Sequence, residues 1–168
     1  MVKRLLAVDI CNTLADINEQ IAKALGPNPN PSNYIHPGTS IEFFENNSWV
    51  FQKALPFDGA AEGVQYLSKS WEIIYLTARP EWARQITNHW LTKWGFPSGS
   101  LITTNEKAIQ AQLLGISMAV EDAPHEILSL QKAGIPVMVH TQPYNNGLGN
   151  YRFSWNSFQK KDELVIGL

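Results

Sequence analysis

Residues 4–13 read Arg-Leu-Leu-Ala-Val-Asp-Ile-Cys-Asn-Thr. The run from Leu5 to Val8 is apolar without a break and too short for a helix. Such a run suits a strand covered on both faces, the kind found inside parallel sheets. It stops at Asp9, with Cys11, Asn12 and Thr13 close behind. Outward from this stretch the pattern repeats. Residues 71–77 (WEIIYLT), 100–104 (SLITT, the weakest), 117–121 (SMAVE) and 135–140 (IPVMVH) are further short apolar runs. Helical patterns separate them: 58–67, 81–94, 105–114 and 124–132. Gly115 and Gly134 stand where two of these helices should stop. Trp82, Ile86, Trp90 and Trp94 fall on one i, i+4 stripe, read as packing against the sheet. Strand–helix alternation predicts an α/β, Rossmann-like parallel sheet with helices on both faces.

The stretch 14–56 breaks the alternation. It holds a helical pattern over 15–25, a loop rich in Pro, Asn and Gly over 26–40, and a second helical pattern over about 39–53. With no strand in it, it reads as a small helical cap inserted after strand one, within a single domain of residues 1–168. Long loops in compact domains are often functional. The tail from Ser154 is read as ending in a helix that covers the sheet, and residues 144–150 as a turn-rich loop near the mouth of the site.

Composition narrows the function classes. The 168 residues carry 15 acids against 13 bases, a formal charge of −2. No basic excess exists for a duplex-binding surface, so a nucleic acid polymer is not the expected partner. One cysteine excludes an intrachain disulfide framework. Lys3 and Arg4 resemble the start of a signal peptide, but the apolar run behind them ends too soon. No segment is long enough for a membrane span. The expectation is a cytoplasmic protein with no membrane partner; the oligomeric state is not legible.

In an open parallel sheet, ligands sit beyond the carboxyl ends of the strands. Strand one delivers Asp9, Cys11, Asn12 and Thr13 there, and strand two delivers Thr77 and Arg79. The helix after strand three brings Lys107, and strand four ends in Glu121 and Asp122. Three carboxylates, a lysine, a hydroxyl and an arginine at one edge make a costly core. They make sense around a divalent cation and a phosphate.

These residues resemble the haloacid dehalogenase superfamily, in the order that superfamily uses them. LLAVDICNT stands for its D-x-D-x-T motif, IIYLTARP for its Thr-ending strand, Lys107 for its lysine, and MAVEDAP for its acidic pair. The likeness extends from Val2 to about Trp155. It leans to the deoxyribonucleotidase-like branch and its bacterial nucleotidase-type members through LPFDGAAEGVQYL, GIPVMVHTQPYN, Arg152 and Trp155. The resemblance implies a Mg2+-dependent phosphatase acting on a small phosphate ester, with a (deoxy)nucleotide as one candidate. It implies Asp9 as the nucleophile that becomes an aspartyl-phosphate. It implies magnesium on Asp9, the backbone carbonyl of Cys11 and Asp122, with Glu121 acting through water. Thr77 and Lys107 would hold and neutralise the phosphoryl group.

The chain departs from the motif at Cys11, where the superfamily has its acid–base aspartate. A thiol is a poor proton-transfer group there, and losing such help typically costs roughly 10²–10⁴-fold. Weak activity is therefore expected, and a phosphate- or nucleotide-binding module is the alternative. A haloacid hydrolase would need Asp9 but no magnesium, which leaves the Glu121–Asp122 pair without a purpose.

Several residues keep two readings. Thr13 either contacts substrate or caps the next helix, and Thr77 and Asp122 have the same capping alternative. Arg79 either binds phosphate or solvates a surface. Phe43, Phe44, Trp49 and Phe51 either stack on the substrate, Phe44 and Trp49 foremost, or form the insertion's own core. His36, His89, His125 and His140 show no metal-ligand spacing and are assigned no chemistry.

Overall fold

The computed structural model describes residues 3–158. Six strands form one sheet: β1 (Arg4–Val8), β2 (Trp71–Thr77), β3 (Ser100–Thr103), β4 (Met118–Glu121), β5 (Val137–His140) and β6 (Tyr151–Phe153). Their order is β3-β2-β1-β4-β5-β6, and every pairing is parallel. The order reverses between β1 and β4, so the crevice beyond these two strand ends is the place for a ligand.

The helices are α1 (Ile17–Leu25), α2 (Ile41–Asn46), α3 (Trp49–Lys53), α4 (Ala60–Leu67), α5 (Arg84–Lys93), α6 (Lys107–Leu114) and α7 (Pro124–Lys132). Side chains alternate between the two sheet faces, as the strand period of two requires. Leu6, Val8, Ile73, Tyr75, Met118, Val120 and Met138 pack into one core with α1, α3, α4 and α5. Ala7, Ile74, Leu76, Ala119, Val137 and Val139 pack into the other with α6 and α7. No helix among the described residues is long and apolar enough to cross a membrane.

The sheet and the helices on both faces agree with the sequence reading; element ends and small pieces differ. α1 starts at Ile17 because Asp16 caps it, accepting from Glu19 N at 3.0 Å. The helix read over 39–53 is two helices. Asn47 breaks it, its amide donating to Phe43 O at 2.9 Å and its Oδ1 accepting from Trp49 Nε1 at 3.1 Å, a local alternative to the helical ladder. The tryptophan stripe holds only in part. A 3-10 turn over Glu81–Ala83 precedes α5, so Trp82 is turned off the stripe and 41% exposed while Trp90 is buried. Strand β6 has no signal beyond three residues after a Gly/Asn loop. Trp155–Ser157 form a 3-10 turn that ends at an extended Phe158, and the tail helix expected toward the end of the chain lies outside the described residues.

One packing contact ties the core to the site. A Cβ on Gly63 would sit 2.5 Å from the Trp155 ring, so only glycine lets α4 approach it. Trp155 Nε1 in turn donates to Thr13 O at 2.7 Å, fixing the loop that follows Asp9.

Candidate active site

The loop after β1 turns sharply. Leu14 N and Ala15 N both donate to Ile10 O at 2.9 Å, and Asn12 adopts φ 59°, the left-handed region that asparagine tolerates. The Asn12 carbonyl is held by His140 Nδ1 at 3.0 Å and Gln142 Nε2 at 2.8 Å. Residues at the β5 end thus brace the motif at the β1 end. Burial among Phe57, Phe153 and Trp155 pushes the His140 imidazole below its usual range.

Asp9, Glu121 and Asp122 are buried at the switch point, each offering a carboxylate oxygen within 4.8 Å of the others. Lys107, at the first turn of α6, reaches between them. Its Nζ donates to Asp9 Oδ1 at 2.6 Å and to Glu121 Oε2 at 2.7 Å. Burial alone would lower the Lys107 ammonium, but the Asp9 and Glu121 charges outweigh it and push it well up. Glu121 Oε1 accepts from Asp122 N and Ala123 N at the start of α7. Burial, then the Asp9 charge, pushes the Glu121 carboxyl up to about 7 despite Lys107. Asp122 is pushed up as well, by burial and by the charges of Asp9 and Glu121. Its oxygens accept from Thr13 Oγ1 at 2.7 Å and from the Tyr144 hydroxyl.

Thr77 is fully buried and lines the same cavity as Asp9, with its Oγ1 accepting from Arg79 N at 3.2 Å. Arg79 is buried, so the surface-solvation reading is overturned: it lies under the cavity with its guanidinium 4.6 Å from the Phe51 ring. Cys11 is half-buried on the cavity wall. Burial pushes its thiol up, and the Arg79 charge opposes this without cancelling it.

Two substrate contacts expected from sequence fall elsewhere. Thr13 is fully buried beneath Asp122 and off the cavity wall, so it positions a carboxylate instead of touching a ligand. Trp49 is also off the wall; its indole bonds Asn47 and its ring sits under Lys53. Phe44 does line the cavity, with Phe51 stacked on it at 5.2 Å. The sequence reading missed Tyr34, His36 and His125, which line the cavity, and Tyr144. Tyr34 comes from the Pro/Asn loop and packs 5.2 Å from Tyr144 and 5.4 Å from His125. The PYN triplet just past the β5 end was the available signal for Tyr144.

Comparison with known proteins bears on the fold. The family model for the PITM 1-3 LNS2 domain matches residues 43–118, a span that includes Thr77 and Lys107 but not Asp9, Glu121 or Asp122. A search of curated protein sequences finds no match. Among solved structures, the chain is similar to L-2-haloacid dehalogenase from Xanthobacter autotrophicus with chloropropionic acid covalently bound: TM-score 0.63, 11% identity, 99% of this chain and 100% of that one covered. It is similar to a HAD-superfamily hydrolase of subfamily IA from Geobacter sulfurreducens, with TM-score 0.60, 15% identity, and 92% and 97% covered. A haloacid dehalogenase-like family hydrolase from Xanthomonas campestris gives TM-score 0.60 at 10% identity, with 97% and 94% covered. At these identities the likenesses show a shared fold alone, and none of them singles out the nucleotidase branch.

Proposed function

We propose that this chain is a magnesium-dependent phosphatase that passes the phosphoryl group of a small phosphate ester to Asp9 and then to water. The observation that carries this is Lys107 held between Asp9 and Glu121 beside Asp122, at the topological switch point. One ammonium among three buried carboxylates leaves a formal charge of two negative, which a divalent cation matches. Three oxygens within 4.8 Å of one another fit magnesium, which needs few protein carboxylates and keeps several waters. Asp9 and Asp122, with the Cys11 carbonyl, would hold it, and Glu121 would act through water. When bound, magnesium supplies positive charge beside the Asp9 carboxylate and polarises the phosphoryl oxygens.

The chain's own groups account for the rest. An Asp9 oxygen attacks phosphorus, the new O–P bond forms, and the ester P–O bond breaks. The Thr77 hydroxyl donates to a phosphoryl oxygen and the Lys107 ammonium offsets its charge, so positioning and electrostatics supply most of the rate. Water then attacks phosphorus, releasing inorganic phosphate and restoring the Asp9 carboxylate. The segment 14–56 acts as a cap that closes the cavity above Asp9 and limits water. Cys11 is the weak point, because a thiol pushed up by burial is an inefficient proton donor to the departing oxygen and a worse base toward water. That residue supports a second reading, a site that holds phosphate with little turnover.

Phosphate release from p-nitrophenyl phosphate, nucleotides and sugar phosphates, with and without magnesium, is the test. Release should stop with EDTA and in Asp9→Asn. Release that survives EDTA removes the metal, and release that survives Asp9→Asn removes the nucleophile. Binding of inorganic phosphate with no release favours the second reading.

A further inference from the structure

The cavity above Asp9 has a volume of about 600 Å³, within the usual range for small-molecule sites. Its floor carries the charges already described. Its cap-side wall is different: Ile17, Ile21, Ile35, Ile41, Phe44 and Phe51 supply it. The polar groups beside them are mostly committed within the protein. Asn18 is bonded to Asn12 through both its amide oxygen and its backbone N. Thr39 Oγ1 donates to His36 O at 2.8 Å, and Ser40 Oγ accepts from Phe43 N at 3.1 Å. His36 Nε2 is buried without a partner. At the rim, Ile41 is 76% exposed and Ile35 is 63% exposed. These aliphatic side chains face the same cavity as the carboxylate cluster.

A nucleoside or a sugar presents many donors and acceptors. Against the isoleucine and phenylalanine side chains of this wall they would lose water without gaining partners, which costs about 1–3 kcal/mol per group. A hydrocarbon group loses nothing polar and covers Ile35 and Ile41 as it enters. We propose that the ester's leaving group is apolar, and that the substrate is the phosphate monoester of a compact hydrocarbon alcohol. The phosphate lies on the Asp9 floor and the hydrocarbon lies along Phe44 and the cap isoleucines. This rests on the phosphatase reading for its chemistry but not for its binding.

The test separates the two. The n-alkyl phosphates from propyl to hexyl have leaving alcohols of nearly equal acidity, so chain length reports burial alone. With magnesium, kcat/KM should rise about three- to fourfold per added CH₂ until the wall is covered. It should also exceed the values for AMP and glucose 6-phosphate. A flat series, or preference for AMP or glucose 6-phosphate, overturns the proposal. Propyl- and hexylphosphonate, which cannot be hydrolysed, are titrated calorimetrically in parallel against the same protein. Tighter binding of the hexyl compound without any ester turnover keeps the apolar site and rejects the phosphatase. Equal affinity, or no binding of either, overturns the apolar site. The exposed double substitution Ile35→Asp/Ile41→Asp should flatten the chain-length dependence, and an unchanged slope counts against the proposal.

Discussion

Arg79 donates its Nε proton to the Cys11 sulfur at 3.2 Å, and no carboxylate among the described residues pairs with that guanidinium. Its Nη1 bonds Thr87 Oγ1 at 3.1 Å, its Nη2 is buried without a partner, and its face lies on Phe51. A buried cation in this state lacks its counter-charge. Cys11→Asp supplies one. In magnesium, where the neighbouring carboxylates are neutralised, the new pair should raise the thermal midpoint by about 3–6 °C for a chain of this size. It should raise turnover of a poor-leaving-group ester more than turnover of p-nitrophenyl phosphate, whose phenolate needs little protonation. Equal gains for both esters would mean that Cys11 does not stand in the place of an acid.

Lys107 is the only cation bonded to the carboxylate cluster among the described residues. Lys107→Met leaves Asp9 and Glu121 buried without their ammonium. Breaking a buried pair on one side typically costs about 3–5 kcal/mol. The midpoint should fall steeply without magnesium, and activity should fall by roughly 10²–10³-fold even with it. Denaturant titration at pH 8 and pH 5 checks the cause. The deficit should shrink at pH 5, where Glu121 takes up a proton. An equal deficit at both values would point to lost packing instead.

The Glu121 carboxyl, pushed up to about 7 from an ordinary 4.5, makes stability depend on pH. Between those values the folded chain binds more protons at this site than the unfolded chain. Metal-free stability from this site is therefore full below about pH 4.5 and is lost as pH rises toward 7. Burial is the larger cause of the rise and the Asp9 charge the next, and magnesium would offset the Asp9 part. The midpoint shift on adding magnesium should grow from pH 5 to pH 8. A shift that is constant or shrinking over that range would place the ion away from this cluster.

The sheet was legible because its strands are short unbroken apolar runs, and a strand covered on both faces leaves that signature in sequence. Asp9, Glu121 and Asp122 were legible for the related reason that charges at the ends of such runs have no place in a core, whereas Lys107, on a helix, was legible only through the motif order of the resemblance. Thr13 and Trp49 were not. Each is one polar or aromatic residue beside the site, and only packing decides whether it faces the ligand or the protein. Thr13 turned inward because Trp155 holds its carbonyl and Asp122 its hydroxyl, contacts that span 142 and 109 positions of sequence. The break at Asn47 was lost to short-range competition that hydrophobic periodicity does not register, and the strand Tyr151–Phe153 to its length of three residues. Tyr34 was hidden by its surroundings: a loop of Pro, Asn and Gly carries no pattern that marks one aromatic as seated.

Tyr34 leads to the last prediction. It is the point at which the loop over 26–40 meets the sheet's carboxyl edge, through ring contacts to Tyr144 and His125. Tyr144 in turn bonds Asp122, so the loop leans on the cluster through one intervening ring. Burial, and next the Asp122 charge, push the Tyr34 phenol far up, so the group stays neutral across the working range. Its contribution then comes from ring packing and not from ionisation. Aromatic pairs of this kind are worth about 0.5–1.5 kcal/mol each. Tyr34→Phe keeps both rings and should leave KM nearly unchanged. Tyr34→Ala loses both contacts and should raise KM several-fold to tenfold with a smaller change in kcat, and should lower the thermal midpoint by a few degrees. Steady-state kinetics on p-nitrophenyl phosphate for the two variants decide it. A large loss in Tyr34→Phe would move the weight from the ring to the hydroxyl, and no loss in Tyr34→Ala would show that the loop does not hold the cavity closed.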